Sequence, residues 1–433
     1  MSDPLPGILK PPADQLPSPL PERRLLDLPP IGGRIKERPD DFLVDELPLY
    51  EPSGQGEHLY LRIAKRDMPH HEMLSVLRRH FGVTDREIGF AGMKDRMALT
   101  SQTVSIHLPR RPELTSIQHD RLQVQWADWH SNKLRRGHLA GNRFSIRIRG
   151  VEPFQAPAIW RGLQALEARG VPDFFGPQRF GVRRNGHVLG RLVLLERWEE
   201  LLGELLGSEG TPFPESQREG RQHAQAGRWA DALAAWGRTD AAERAALRAL
   251  EQGANARAAA RAMPRDVLAF WVSAWQSAVF NRLLDQRLAA GTEGVLQLGD
   301  VAWKHANGAR FLVDQAAVDQ QGEQALAARA QRFEISPTGL LPGQGAMPSS
   351  GQVRQAEDAA IRAFGMEPAF FDAPNRWQEG ARRPMRVQVR NLQIEGGFDE
   401  HGPFVRVAFE LPAGAYATVV LRELGVEVDE MPG

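Results

Sequence analysis

Cysteine is absent from this 433-residue chain. That absence removes disulfides, thiolate nucleophiles and cysteine-ligated metals, and it accords with a reducing compartment. Long apolar runs are missing too, and the N-terminus lacks both a basic start with an apolar core and an Arg/Ser-rich amphipathic pattern. A membrane span and a targeting peptide are therefore not expected, and the cytoplasm is the expected location. Net charge is also missing, with 54 basic side chains balancing 54 acidic ones. Neutrality argues against a uniformly basic nucleic-acid coat protein, but a local basic face can still reach phosphates.

Several chemical signatures are absent as well. His70-His71-Glu72 is not a His-Glu-x-x-His pair, and adjacent helical residues do not face one another, so no metal site is expected. There is no phosphate-cradling glycine loop and no Gly-x-Ser-x-Gly elbow. Gly181, Gly186 and Gly190 read as turn glycines. No cofactor is implied.

What is present has a clear order. At 42% hydrophobic residues the chain is long enough for more than one core, and two domains are expected. Residues 1–30 carry nine prolines and no periodicity, which predicts an extended or disordered lead-in. Strands are predicted through Phe42, Val44 and Glu46, and through Leu59, Leu61 and Ile63. Leu74, Leu77 and Phe81 then recur at helical spacing and stop at Gly82. This is an α+β pattern without regular βαβ alternation. From about Arg161 to Arg261 the chain turns helical, with a loop-like break at Gly207–Gly220, and the Trp271/Trp275 stripe reads as helix core. Alternation resumes at Val387 and Val389 and again from Val405 to Leu411, before a last helix predicted to run through Leu424. The pattern predicts one domain inserted into another: a first part over 31–167, an insertion over 168–350 and a second part over 351–433.

Two stretches carry candidate chemistry. Gly89-Phe-Ala-Gly-Met-Lys-Asp-Arg-Met-Ala-Leu-Thr-Ser-Gln102 sets Asp95 in a glycine-bearing connection between Lys94 and Arg96, just ahead of an alternating strand. A carboxylate there is either a catalyst on a scaffolded loop or a turn cap, and its immediate surroundings leave both open. In Asn-Arg-Phe-Ser-Ile-Arg-Ile-Arg149, arginines 143, 147 and 149 alternate with apolar residues, giving a basic face that serves either RNA phosphates or a solvated strand. Lys133, Arg135 and Arg136 lie just upstream.

The Asp95 stretch resembles the signature of the tRNA pseudouridine synthase D (TruD) family, and four further segments match in order. Lys36-Glu-Arg-Pro-Asp-Asp-Phe42-Leu-Val-Asp-Glu46 is similar to the family's first motif and Gly141-Asn142-Arg143-Phe144 to its third. Val171-Pro-Asp-Phe-Phe-Gly-Pro-Gln-Arg-Phe-Gly181 is similar to the entry of its insertion domain, and Leu411-Pro-Ala-Gly-Ala-Tyr416-Ala-Thr-Val-Val-Leu-Arg-Glu423 to its C-terminal motif.

The resemblance implies a pseudouridine synthase catalytic domain with a central antiparallel sheet, interrupted by a mostly helical insertion. It implies isomerisation of uridine to pseudouridine, for the bacterial branch at uridine-13 of transfer RNA, without cofactor or metal. Asp95 becomes the catalytic aspartate, and Phe42, Asn142, Phe144 and Tyr416 its base pocket, with Lys36 and Lys94 as further substrate contacts. Lys94 or a nearby arginine is expected to keep Asp95 ionised. Phe144 takes the place where other pseudouridine synthases are expected to carry a tyrosine, so no hydroxyl base is available there. Attack on the sugar, addition to the base and charge stabilisation during glycal formation all remain open roles for Asp95.

The chain departs from the pattern at Tyr416, where some members have phenylalanine, and in the long Ala/Arg-rich stretch from Glu199 to Arg261. A second reading is an RNA-binding protein on the same fold without catalysis. A third is a glycosidic hydrolase, which would need a second carboxylate, for which Asp45 and Glu46 are the nearest offers. No protein partner is implied, and a monomer is expected.

Overall fold

The computed structural model describes residues 9–237, 239–373, 377 and 379–426. They form two units, one of 24–173 with 387 onward, the other of the segment up to Arg23 with 174–386. The first holds every candidate site residue.

Its centre is an eight-stranded sheet. The strands are β1 (Phe42–Pro48), β2 (His58–Arg66), β3 (Ile88–Phe90), β4 (Leu99–His107), β5 (Leu122–His130) and β6 (Leu139–Arg149). Two late strands complete it; because four strands of the other unit intervene in the chain, these are β11 (Arg390–Asp399) and β12 (Gly402–Pro412). The order is β11-β12-β6-β1-β4-β2-β5, with β3 on β4. All pairs are antiparallel except β1 with β4, which run parallel, so the sheet is mixed where an antiparallel one was expected. Parallel pairing follows from connectivity, because β2, a helix and β3 separate the two strands in the chain.

Alternation sets the faces. Val44 lies opposite Phe144 and Glu46 opposite Asn142, while Phe144 in turn lies opposite Phe409. One face thus carries Phe42, Val44, Glu46, Asn142, Phe144 and Phe409, and on β2 and β4 it carries Leu61, Ile63, Lys65, Val104 and Ile106. Helix α1 (His70–Phe81) covers the β2/β4 part of that face through Met73, Val76 and Leu77, ending at Gly82 with φ +66° as the spacing predicts. Each such aliphatic side chain contributes about 1.5–3 kcal/mol on burial. Helix α2 (Ala156–Arg169) packs on β11.

The second unit is mostly helical, built around α3 (Gly186–Leu194) and α4 (Arg265–Ala289), with Trp275 fully buried as expected of a core stripe. Gly190 is not a turn glycine: it lies inside α3, where a Cβ would collide with the Trp271 carbonyl of α4. A small sheet of β7 (Val301–Lys304), β8 (Arg310–Leu312), β9 (Ile335–Leu341) and β10 (Ala381–Pro384) belongs to this unit. Because β10 pairs with β9, the insertion extends to Arg386 and not merely to 350. The described part of the proline-rich lead-in is extended and tied down by side chains: Leu9 is buried, Asp14 pairs with Arg191, and Arg23 bonds Asp285 at 2.9 Å. Residues 1–8 lie outside the described residues. No described helix is long and apolar enough to cross a membrane.

Candidate active site

β3 and β4 are antiparallel neighbours, so the chain between them must turn back over the sheet, and Asp95 stands in that turn. The turn is held at both ends by main chain: the Gly137 N–H donates to the Ala91 carbonyl (2.9 Å) and the Asp67 N–H to the Ala98 carbonyl (3.2 Å). The Asp95 carboxylate accepts from Lys36 Nζ at 2.8 Å, with side-chain exposures of 37% and 20%. Open enough to meet a substrate, the pair is still sheltered enough for its Coulomb attraction to exceed that in bulk water. Lys36 holds a left-handed backbone (φ +58°), uncommon outside glycine, and its ammonium lies 4.4 Å from the Phe42 ring centroid. It therefore bridges the acid and the aromatic floor.

Lys94 does not accompany Asp95 as expected. Its ammonium bonds Glu46 Oε2 at 2.7 Å, with the pair 5% and 2% exposed, and Glu46 Oε1 also accepts the Thr103 N–H. The parallel β1–β4 pairing brings Glu46 beneath the turn, a neighbour that sequence adjacency does not reveal. The cation beside Asp95 is Lys36. Glu46 is thus committed to an ion pair, and Asp45 to one with Arg62, so neither stands free as the second carboxylate a hydrolase requires.

The floor is aromatic. Phe42 meets Phe144 edge-on at 6.4 Å, and Phe144 meets Phe409 at 5.7 Å. Phe409 was not singled out in the sequence; its place opposite Phe144 on β12 is the signal that finds it. Gly141 permits this closeness, because a Cβ there would strike the Leu411 carbonyl. Beside the rings Asn142 Oδ1 is buried, and on β4 Thr100 and fully buried Gln102 carry side-chain polar atoms with no partner among the described residues. Tyr416, half-buried, starts the final helix α5 (Ala417–Glu423). His70 meets Phe90 edge-on at 4.4 Å between ring centroids, and its pKa is lowered to about 4, first by burial and then by Lys65, Arg136 and Lys94. It is neutral at physiological pH.

The β6 arginines take the opposite face. Arg143 bonds Glu410, Arg147 lies 4.0 Å from Asp399, and Arg149 is buried between Asp41 and Asp399. Arg149 is therefore a structural ion-pair residue, not a phosphate contact, a correction that follows from its 3% side-chain exposure. Replacing it with Met should leave the salt dependence of RNA binding unchanged. It should destabilise the fold by about 3–5 kcal/mol in urea unfolding, because Asp41 stays buried without its partner. Arg135 and Arg136 are exposed, the latter 5.6 Å from the Phe90 ring, and Lys133 donates to the Arg86 carbonyl.

A cavity of about 740 Å³ lies elsewhere in the unit, lined by Phe81 and the 114–122 segment, with Asp120 its sole carboxylate. The acid, lysines and rings make a chemically more capable site than that cavity.

A paired acid thus lies over an aromatic floor, on a mixed sheet whose strands are separated in the chain by a mostly helical unit. The fold aligns with a Methanosarcina mazei protein whose crystal structure was solved under the description tRNA pseudouridine synthase D, at a TM-score of 0.76 and 25% identity, covering 95% of this chain and 98% of that one. The family model for tRNA pseudouridine synthase D (TruD) matches residues 22–424. Proteins named tRNA pseudouridine synthase D from Syntrophotalea carbinolica and Geobacter metallireducens are each 38% identical, over 92% and 93% of this chain and 97% and 98% of theirs. The chain belongs to the TruD family.

Proposed function

We propose that this protein isomerises uridine-13 of transfer RNA to pseudouridine, with Asp95 as its catalytic aspartate. The observation that carries this reading is the position of Asp95: a carboxylate in a tethered turn, ion-paired at 2.8 Å with a lysine that itself rests on Phe42. The reaction breaks the N1–C1′ bond, turns the uracil and joins C5 to C1′, and the proton lost from C5 is balanced by one gained at nitrogen. Nothing is oxidised and no group leaves, so a single carboxylate and a confining pocket suffice. The target base must first be extruded, and aromatic faces with amide edges are what hold an extruded base. Phe42, Phe144 and Tyr416 supply the faces, and Asn142 supplies an amide whose oxygen has no partner within the described chain. The cytoplasm is the setting this reading requires.

The position is tested by mapping pseudouridine in a transcript with uridine-13 and in one carrying cytidine there. Product should form at residue 13 of the first and nowhere in the second. Product at another residue in both would overturn the assignment.

For the phosphates, we assign Arg135 and Arg136, exposed beside Phe90, in preference to the β6 arginines. The Arg135→Ala/Arg136→Ala double variant should weaken RNA binding and reduce the log–log salt slope by about 1.5, whereas Arg147→Ala should leave it unchanged. A reduced slope in Arg147→Ala alone would restore the β6 face as the contact surface.

A further inference from the structure

The ends of the Asp95 turn are fixed by main-chain bonds, but its middle is not. Between Gly92 and Met97, among the described residues, the main chain receives bonds from outside the turn only through Lys65. This lysine stands near the end of β2, on the face shared with Thr100, and is 1% exposed. Its ammonium donates to the Asp95 carbonyl at 2.9 Å and the Met68 carbonyl at 2.7 Å, with the Lys94 carbonyl at 3.5 Å. None of these three acceptors is a carboxylate. A buried ammonium spent on carbonyl oxygens is a costly way to stabilise a fold, since no carboxylate bonds it directly and the nearby Asp95 and Asp67 charges offset its desolvation only in part. It is an effective way to fix a loop, because one group with three donors ties two separate segments to the sheet.

We propose that Lys65 is a positioning residue for the reaction: it sets the height and direction of the Asp95 carboxylate over the base pocket by clamping the Asp95 carbonyl to the Met68 corner. The proposal rests on the reading of Asp95 as the catalytic acid. Lys65 touches no substrate and acts through the main chain of Asp95. Its charge faces Asp95 and Lys94 in the turn, Asp67 at the end of its own strand and neutral His70 at the start of α1. Burial, the largest influence, lowers its pKa to about 8; Asp95 opposes that shift and Lys94 adds to it. The clamp therefore loses its proton within an accessible pH range. Above that value the fold has released a proton that the unfolded chain keeps up to the ordinary value of 10.5. This group therefore adds stability as pH rises from about 8, so a loss of rate there is not Lys65-linked unfolding.

Lys65→Met and Lys65→Arg test the clamp in the full chain, reading single-turnover rate, RNA Kd and thermal midpoint on the same preparations. Lys65→Met should slow isomerisation about 30- to 100-fold, the loss expected when a reacting group is displaced by about 1 Å, with Kd within roughly threefold. Lys65→Arg keeps a charge that does not titrate. It should retain a rate within roughly tenfold of the parent and move the alkaline limb of the pH–rate profile up by about one unit or more. Substrate and all other groups are common to both enzymes, so that shift isolates Lys65. A Lys65→Met rate within roughly threefold of the parent, or an alkaline limb unmoved in Lys65→Arg, overturns the proposal. Should the Met variant fail to fold, the Arg profile decides alone. If Asp95→Asn remains active the reading of Asp95 fails; if Asp95→Asn is inactive and Lys65→Met is normal, only the clamp fails.

Discussion

Asp95→Asn is expected to abolish pseudouridine formation, lowering the single-turnover rate at least about a thousandfold while the protein stays folded and still binds RNA. The substitution is nearly isosteric, and the turn is held through the main chain at Ala91, Asp95 and Ala98, so its path should survive. What disappears is the negative charge that faces Lys36 at 2.8 Å. Each route open to Asp95 needs that charge, whether it attacks the sugar or steadies positive charge developing at C1′. Retained binding separates a failed catalyst from a failed fold. A rate within tenfold of the parent would falsify the assignment and return Asp95 to the role of a turn residue.

The second large effect concerns stability. Glu46→Ala should cost about 3–5 kcal/mol in urea unfolding, because it strands the Lys94 ammonium at 5% exposure. It also leaves the Thr103 N–H without its side-chain acceptor. Since Lys94 precedes Asp95 in the turn, activity should fall as well. Replacing both partners, as Glu46→Leu with Lys94→Met, should recover most of the lost stability, because a buried pair removed whole leaves no orphaned charge. A Glu46→Ala cost under about 1 kcal/mol would mean that water reaches Lys94, and the description of a buried pair would have to be abandoned.

Local pattern carried much of the fold. Period-two alternation predicts β1, β2, β4, β6 and β12, and the Leu74/Leu77/Phe81 spacing with its Gly82 stop predicts α1. These signals survive because one face of each element is buried and the other is not. Partners across the sheet left no such trace. Adjacency alone assigns Lys94 to Asp95, yet parallel pairing of β1 and β4 hands it to Glu46. Lys65 reads as one more charge at a strand end, in Arg62-Ile-Ala-Lys65-Arg66, and nothing in that string shows that a turn some thirty residues on will close over it. Arg149 alternates like its neighbours but meets Asp41 and Asp399 from distant segments. The insertion boundary moved to Arg386 for the same reason, since a four-residue strand such as β10 has no periodicity to reveal it.

The pairing of β6 with β12 also bears on when the protein becomes an enzyme. Phe144 leaves the ribosome well before Phe409, because residues 139–149 form β6 and residues 402–412 form β12. Until then β6 has an open edge where β12 will pair, and the ring row stops at Phe144. Synthesis order therefore delays the aromatic floor: Phe144 gains Phe409 only once β12 has emerged, and a ribosome-bound fragment ending before β12 carries Asp95 without a complete floor beneath it.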